Sequence, residues 1–322
     1  MLAPFISFSL TLFFLILLLK TRFADFALDK PNARSLHTSL TPRTGGLAVM
    51  IGVLLTWLIA RVDYSWLLLV LALVGVSLVD DVRGLSVRWR FLVQFVMCGF
   101  FVFLYSHQIY YLLWIPVLLG LVWMTNLYNF MDGSDGLAGG MGAFGFTAYA
   151  LAFYLGNDMQ LTIMSACIVA SSIAFLIFNF HPAKIFMGDS GSIPLGFLAG
   201  AIGVYGFIQS DWQAWFPLLV FSPFIVDATV TLIKRLLDGE QLSQAHRNHY
   251  YQRLVQMGCG HKKTAIVEYI LMLFCSISAL IMLHLPNALV VFLLILWMLI
   301  YAILTIFIDK CWNKKYLCRD FR

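Results

Sequence analysis

The sequence predicts an all-α, polytopic integral membrane protein with about eleven transmembrane helices, its N-terminus outside and its C-terminus in the cytoplasm. Three observations lead to this class. The 322 residues are 61% hydrophobic and only 11% charged, whereas a soluble domain carries roughly 25% charged residues. Apolar runs long enough to cross a bilayer recur along the whole chain. Lys and Arg concentrate in alternate connections between those runs.

The apolar runs define the predicted spans, because about 20 apolar residues cross the hydrocarbon core as a helix. They lie at 2–19, 45–60, 65–79, 91–106, 109–125, 137–156, 160–178, 193–209, 212–233, 265–285 and 287–308. The run at 45–60 is short, and the junctions at 106–109 and 285–287 are tight. No soluble segment or low-complexity linker separates the runs, so residues 1–322 are predicted to form a single transmembrane domain.

The distribution of positive charge sets the predicted orientation. Every second connection is rich in Lys and Arg, and only Arg61 falls on the opposite side. Basic connections face the cytoplasm, so the long connections that carry them are predicted to be cytoplasmic. The net charge of +5 does not indicate a nucleic-acid partner, because the positions of the charges matter more than their sum.

Five aspartates lie in three of these cytoplasmic connections, at the ends of apolar runs: Asp80, Asp81, Asp132, Asp135 and Asp189. A carboxylate near hydrocarbon is energetically costly and is by default a candidate for function. Five of them at one membrane face suggest a site for a cation and for the phosphates that it would hold.

The first basic connection, residues 29–46, offers Arg34, His37 and Arg43 as polar candidates. They could anchor the loop to anionic lipid, or form a rim that attracts a phosphorylated substrate. Gly45 and Gly46 open the second span, where small residues let helix backbones approach closely.

In the second connection, residues 79–90, the adjacent carboxylates of Asp80 and Asp81 repel each other, so a positive group should lie nearby. Simple pairing with Arg83 or Arg88 is one interpretation. The other is that one carboxylate positions or deprotonates a phosphate while its neighbour supports a metal.

The third connection, residues 126–140, contains four polar side chains at spacings of three: Asn126, Asn129, Asp132 and Asp135. On a continuing helix they would line one face. Gly133 and Gly136 then break the helix. A helix that resumes at Leu137 would point its N-terminus at the site, which suits an anion.

The fourth connection, residues 179–192, places Asp189 in a Gly-Asp-Ser-Gly turn that opens the next span. Lys184 lies five residues earlier, close enough to share a phosphate. Asn179 can read an amide or hydroxyl edge, and Phe186 could stack on a flat ring. His181, before a proline, is given no role.

The fifth connection, residues 246–254, contains His246 and His249, which are three residues apart and could share a helical face. They could be a metal pair or hydrogen-bond donors to phosphate. The second role is favoured, because hard cations prefer oxygen ligands. Arg247 adds positive charge in either case. Asp227, inside the ninth span, belongs either to helix packing or to the site.

Four motifs together resemble the polyprenyl-phosphate N-acetylhexosamine-1-phosphate transferase superfamily. They are DD at 80–81, NLYNFMDGSDGLA at 126–138, PAKIFMGDSGS at 182–192 and HRNHYYQRL at 246–254. The resemblance spans most of the chain. It implies a polytopic bacterial inner-membrane enzyme with its site on the cytoplasmic face, dependent on Mg²⁺ with Mn²⁺ as an alternative. It also implies a UDP-linked amino sugar as donor and undecaprenyl phosphate as acceptor.

The resemblance also implies roles for individual residues. Asp189 would bind Mg²⁺, while Asp80 and Asp81 would serve the lipid phosphate and the metal. Asn179, Asp135 and Phe186 would hold the uridine. The remaining candidates are catalytic groups, Asp132, Lys184, His246 and His249, and substrate-binding groups, Asn126, Asn129 and Arg247.

The last motif departs from the branch that makes lipid-linked muropeptide, which typically has a denser histidine cluster. The chain is therefore more similar to the branch that primes O-antigen and other surface polysaccharides. The identity of the sugar, among GlcNAc, GalNAc, FucNAc and QuiNAc types, is left open. Membrane lipid is an expected partner, and the apolar spans would also suit a homodimer.

The expected reaction is attack by the lipid phosphate on the sugar-bearing β-phosphorus of the donor, with release of UMP. Asp80 would act as a base, or would form a covalent phospho-aspartate. The alternative to an enzyme is a transporter or flippase, which would need polar residues through the bilayer or on both faces. A structural or lipid-binding protein would not need the two Gly-Asp turns.

Overall fold

Helices dominate the computed structural model, which describes residues 2–21, 27–29, 40–209, 211–241, 244 and 246–317. The thirteen α-helices in these ranges are α1 Ala3–Lys20, α2 Gly45–Ile59, α3 Tyr64–Arg83, α4 Val87–Tyr105, α5 Trp114–Phe130, α6 Leu137–Leu155, α7 Met159–Asn179, α8 Asp189–Ile208, α9 Trp215–Val220, α10 Ser222–Leu237, α11 Tyr250–Leu254, α12 Gly260–Met282 and α13 Asn287–Leu317. Two short antiparallel strands, β1 Leu28–Asp29 and β2 Thr41–Pro42, pair Leu28 with Pro42.

Each predicted span coincides with helical structure. Within the described residues, nine helical segments are long and apolar enough to cross a membrane. The remaining two predicted spans are less regular. Helix α2 has only 15 residues, and the span predicted at 212–233 is divided at Phe221 into α9 and α10. Pro223 lies in the first turn of α10, where the missing N–H of proline is tolerated. The protein is therefore an all-α polytopic membrane protein.

The last helix is longer than a membrane crossing requires. Helix α13 has 31 residues, which corresponds to about 46 Å at about 1.5 Å per residue. The hydrocarbon core is only about 30 Å thick. The last turns of α13 carry Asp309 and Trp312, and they reach the segment around α11.

Helix α8 packs against α3 and α5, while α6 packs against α7 and α12. The N-termini of α2 and α8 approach closely through glycine, because a Cβ on Gly46 would lie 2.3 Å from Gly191 Cα. This confirms the expectation that small residues at the start of α2 permit close contact.

Backbone hydrogen bonds fasten the segment after β2 to the segment before α8. The Phe186 N–H donates to Pro42 O at 2.7 Å, and the Gly45 and Gly46 N–H groups donate to Phe186 O and Met187 O at 2.9 and 2.8 Å. Two connections that are distant in sequence therefore form one rigid rim beside the N-terminus of α8.

Candidate active site

A cavity of about 800 Å³ opens where the predicted polar connections meet. All five aspartates line it, although they come from three separate segments. The predicted site residues in its wall are Asp80, Asp81, Asn126, Asn129, Asp132, Asp135, Asn179, Phe186, Asp189, His246 and His249. The helix ends that carry these residues are therefore at one end of the bundle.

Two of the described candidates, Lys184 and Arg247, lie outside the cavity lining. Both side chains are exposed. The Lys184 N–H donates to Phe178 O at 2.8 Å, so the turn after α7 orients the backbone of Lys184 while its side chain reaches solvent. The sequence predicted that Lys184 would lie close enough to Asp189 to share a phosphate. In the structure Asp189 lines the cavity and Lys184 does not. Arg34 and His37 lie outside the described residues.

Arg90 is the positive partner of the clustered carboxylates. Its Nε lies 3.0 Å from Asp80 Oδ2, and its Nη2 lies 3.1 Å from Asp189 Oδ2. The sequence interpretation considered Arg83 and Arg88 for this pairing, and both are exposed. Helix α4 begins at Val87, so Arg90 falls one turn later on the same face as Val87, which also lines the cavity. The spacing of three residues between Val87 and Arg90 was the sequence signal that could have identified Arg90 as a site residue.

Asp80 and Asp81, though adjacent, have different partners. Asp81 accepts hydrogen bonds from the N–H groups of Asp189 and Ser190, at 3.1 and 2.9 Å. It therefore caps the N-terminus of α8, where a negative charge is stabilised by the helix dipole. Asp80 accepts from the Leu85 N–H at 2.5 Å and binds Arg90.

Asp132 and Asp135 do not continue the helical face of Asn126 and Asn129. Helix α5 ends at Phe130, and the two aspartates lie in the turn that follows, so the prediction of one continuous face was wrong. Burial raises the pKa of Asp132 well above its usual value, and the nearby Asp189 and Asp81 carboxylates raise it further. Helix α6 does begin at Leu137, as predicted.

The polar side chains of α5 differ in their partners. Asn126 Nδ2 donates to Gln94 Oε1 and to Val122 O, both at 2.7 Å. Asn129 Nδ2 is buried without a hydrogen-bond partner in the described part of the chain. A buried donor without a partner is costly, so Asn129 Nδ2 can donate a hydrogen bond to an acceptor that enters the cavity.

Asn179 fastens two connections to each other. Its Oδ1 accepts from the Gly136 N–H, and its Nδ2 donates to Ile185 O, both at 2.9 Å. The side-chain amide is thus engaged with protein at both ends. Its evident role in this structure is to hold the turn before α6 against the turn before α8.

Asp135 is surrounded by two histidines that the sequence interpretation did not include in the site. His181 Nδ1 lies 2.6 Å from Asp135 Oδ2, and the Ala183 N–H donates to the same oxygen at 3.2 Å. His261 lies 3.8 Å from Asp135 Oδ1, and its ring stacks on that of His181 with 5.7 Å between centroids. His261 lines the cavity from the first turn of α12.

His246 and His249 do not share a helical face, contrary to the prediction. His249 is the N-cap of α11, and His246 lies in the preceding loop, with 4.9 Å between the ring centroids. Burial lowers the pKa of His246 to about 4, and nearby His249 and Arg235 lower it further. His246 is therefore neutral near pH 7, and can donate or accept a hydrogen bond without a charge.

Asp227 positions this histidine segment and does not line the cavity. Its carboxylate accepts from the N–H groups of Tyr250 and Tyr251, both at 2.9 Å, and its Oδ1 lies 3.2 Å from His249 Nδ1. Lys234, seven residues later on the same helix, pairs with Asp309 and not with Asp227. Asp227 thus joins helix packing to the site.

The cavity has a polar end and an apolar end. Beyond Arg90, helix α4 contributes Phe91 and Phe95, and α5 contributes Leu119 and Val122. The carboxylates at the polar end supply the oxygen atoms that hard divalent cations prefer. Among the described residues, no three acidic, histidine or cysteine side chains are grouped to hold a metal by themselves.

The family model described as Glycosyl transferase family 4 matches residues 64–207. A Bacillus subtilis protein named "Probable undecaprenyl-phosphate N-acetylglucosaminyl 1-phosphate transferase" is 30% identical, over 87% of this chain and 84% of its own. A Mycobacterium leprae decaprenyl-phosphate N-acetylglucosaminephosphotransferase is 28% identical, over 76% and 74%. A Listeria monocytogenes phospho-N-acetylmuramoyl-pentapeptide-transferase is 28% identical, over 69% and 76%.

These relatives align with most of the chain, and the residues that the family model matches include the segments whose carboxylates converge on the cavity. The resemblance inferred from the four motifs is thereby confirmed. The chain belongs to glycosyl transferase family 4, within the superfamily of polyprenyl-phosphate N-acetylhexosamine-1-phosphate transferases.

Proposed function

We propose that this protein transfers an N-acetylhexosamine-1-phosphate from a UDP-sugar to undecaprenyl phosphate, releases UMP, and so primes the synthesis of O-antigen or another surface polysaccharide. The observation that carries this proposal is a single cavity with a carboxylate-rich end and an apolar end. Such a cavity suits a phosphorylated donor and an acceptor that has a charged phosphate head and a hydrocarbon tail. The names of the Bacillus and Mycobacterium relatives favour N-acetylglucosamine as the sugar.

The proposed topology has eleven crossings, with the N-terminus outside and the site on the cytoplasmic face of a bacterial inner membrane. The positive charge of alternate connections supports it. Helix α2, with 15 residues, and the divided α9 and α10 would complete the count. A cytoplasmic site would meet UDP-sugars where they are made and the lipid phosphate at the interface.

We propose Mg²⁺ as the resident cation, replaceable by Mn²⁺, with Asp189 as its ligand and Asp80 beside it. The donor set fits, because Mg²⁺ usually keeps several waters and takes one or two carboxylates together with substrate phosphates. The carboxylates of Asp80, Asp81, Asp132 and Asp189 line one cavity, and a cation would relieve the repulsion among them. When bound, the ion would neutralise charge on the pyrophosphate oxygens.

In the proposed reaction, an oxygen of the lipid phosphate forms a bond to the β-phosphorus, and the bond from that phosphorus to UMP breaks. Asp80 would orient the lipid phosphate and take its remaining proton. That phosphate is already mostly ionised near pH 7, since its second pKa is about 6. Asp132 lines the same cavity, and we expect it to orient the reacting phosphates. A covalent phospho-Asp80 is the second route.

The uridine would lie against the part of the cavity wall that contains Asp135 and Phe186, with Phe186 stacked on the base. Asn179 would act there mainly by holding both turns in register. The polyprenyl tail would leave along Phe91, Phe95 and Leu119, which keeps hydrocarbon against apolar side chains.

The test is UMP release by the purified protein with Mg²⁺, undecaprenyl phosphate and a panel of UDP-sugars carrying GlcNAc, GalNAc, FucNAc or QuiNAc. We expect turnover with at least one donor and a loss of about 10³-fold or more in Asp189→Asn. Asp238→Asn is the matched control, because Asp238 is an exposed carboxylate outside the cavity. Absence of UMP release with every donor would refute the proposal. UMP release from donor and enzyme without lipid would favour the covalent route.

A further inference from the structure

Arg90 joins two carboxylates that belong to different helices. Asp80 lies near the end of α3, Asp189 begins α8, and the Arg90 guanidinium on α4 contacts both at 3.0 and 3.1 Å. A guanidinium presents several N–H donors in a rigid fork, so one side chain can bind two carboxylates at the same time. The three helix ends are therefore held together by one positive charge.

The surrounding negative charges favour this arrangement. Asp189 interacts electrostatically with Asp80, Asp81 and Asp132, and all four of these carboxylates line the cavity. Like charges at short range disfavour ionisation of each other. Among the described residues of the cavity wall, the permanently charged cations are Arg43 and Arg90. The Arg43 side chain faces Asp29 at 4.0 Å, whereas Arg90 binds two of the four carboxylates directly.

We propose that Arg90 is an internal counter-ion that competes with the divalent cation for Asp189. This inference rests on the proposed function, because it takes the cation to be the one proposed there. The oxygen of Asp189 that binds Arg90 would otherwise be available to a metal. A cation on that carboxylate would repel the guanidinium. Binding of either positive group to Asp189 would therefore weaken the binding of the other.

Arg90 can move away without disrupting the core. Its side chain is 29% exposed, and a long arginine side chain can keep its apolar stem in place while its head moves. Its neighbours on α4, Val87 and Phe91, also line the cavity. The metal-free protein would thus be stabilised by Arg90, and the metal-bound protein by the ion.

The test measures the affinity of the full-length purified protein for Mn²⁺ by electron paramagnetic resonance. Arg90→Gln removes the competing charge, so we expect Mn²⁺ to bind roughly three- to tenfold more tightly than to the wild type. Arg90→Lys, which keeps a charge but lacks the fork, should fall between them. Arg88→Gln, an exposed arginine on the same helix, is the control and should not change the affinity.

Thermal unfolding in EDTA and in saturating Mn²⁺ supplies a second measurement. Arg90→Gln should lower the midpoint more in EDTA than in Mn²⁺. A purely structural role would lower both equally, and that result, or unchanged or weaker Mn²⁺ binding, would overturn the inference. Absence of Mn²⁺ binding in the wild type would overturn the inference and the proposed metal together. Tighter binding in Arg90→Gln without UMP release by the wild type would overturn only the proposed function.

Discussion

Asp227 in α10 and His249 at the N-cap of α11 are in direct contact, with 3.2 Å between Asp227 Oδ1 and His249 Nδ1. The same carboxylate accepts the N–H groups of Tyr250 and Tyr251. Both Asp227 and His249 are buried. A carboxylate outside the cavity therefore determines how a cavity-lining histidine is held.

Replacing Asp227 should destabilise the protein and misplace His249. Asp227→Ala would leave four buried donors without an acceptor, because the Thr231 hydroxyl also donates to this carboxylate. We expect the free energy of unfolding to fall by about 3 kcal/mol. Asp227→Asn keeps one acceptor oxygen and should lose about half as much. Unfolding by SDS in mixed micelles measures this, with Asp238→Ala as the exposed control. Equal effects of the Asp227 and Asp238 substitutions would contradict the prediction.

The N-terminus of α8 depends on a glycine. Gly188 has φ +71°, and a Cβ there would lie 2.2 Å from Arg43 O. Gly239 has a similar φ of +75° but nothing within 4 Å of such a Cβ. Both Ala substitutions cost backbone strain of about 1 kcal/mol, but Gly188→Ala should cost a further ~2 kcal/mol from overpacking. It should also lower UMP release, because Asp189 follows directly. Comparison of the two variants by thermal unfolding tests this, and similar midpoints would refute it.

The extended end of α13 should support the site through Asp309. Arg253 Nη1 binds Asp309 at 2.8 Å, and Arg253 Nε donates to Asn248 O at 2.8 Å in the histidine segment. Lys234 also contacts Asp309. We expect Asp309→Asn and Arg253→Gln each to reduce UMP release, with a coupling free energy of about 1 kcal/mol in a double-mutant cycle.

The control cycle pairs Asp309→Asn with Lys262→Gln, since Lys262 is exposed on α12. That pair should be additive. A coupling free energy near zero for Asp309 and Arg253 would show that α13 does not act on the histidine segment.

The stability of the protein should fall in mild acid because of His246. Its folded-state pKa of about 4 is below the value of about 6.5 in an unfolded chain. Between these values the unfolded state binds more protons, so stability falls as the pH decreases from about 6.5 towards 4. His246→Gln should reduce this slope. Thermal unfolding from pH 7.5 to 4.5 measures it, with His107→Gln, an exposed histidine, as control. Identical slopes in the wild type and His246→Gln would contradict the assignment.

The sequence by itself determined the class of protein, the positions of the helices and the family. Apolar runs of bilayer length become helices because the backbone must satisfy its hydrogen bonds internally, and this requirement is local. The aspartate-rich connections were predictable as a site for a similar reason, since carboxylates are costly wherever they border hydrocarbon.

Only the tertiary structure decided which polar groups meet. Arg90 replaced Arg83 and Arg88 as the partner of the carboxylates, His181 and His261 joined Asp135, and Lys184 reached solvent. These outcomes depend on the rotation of each helix about its axis and on the packing of helices distant in sequence. Spacing along one segment carries no information about either, so a charged side chain could be placed in the right connection while its partner remained undetermined.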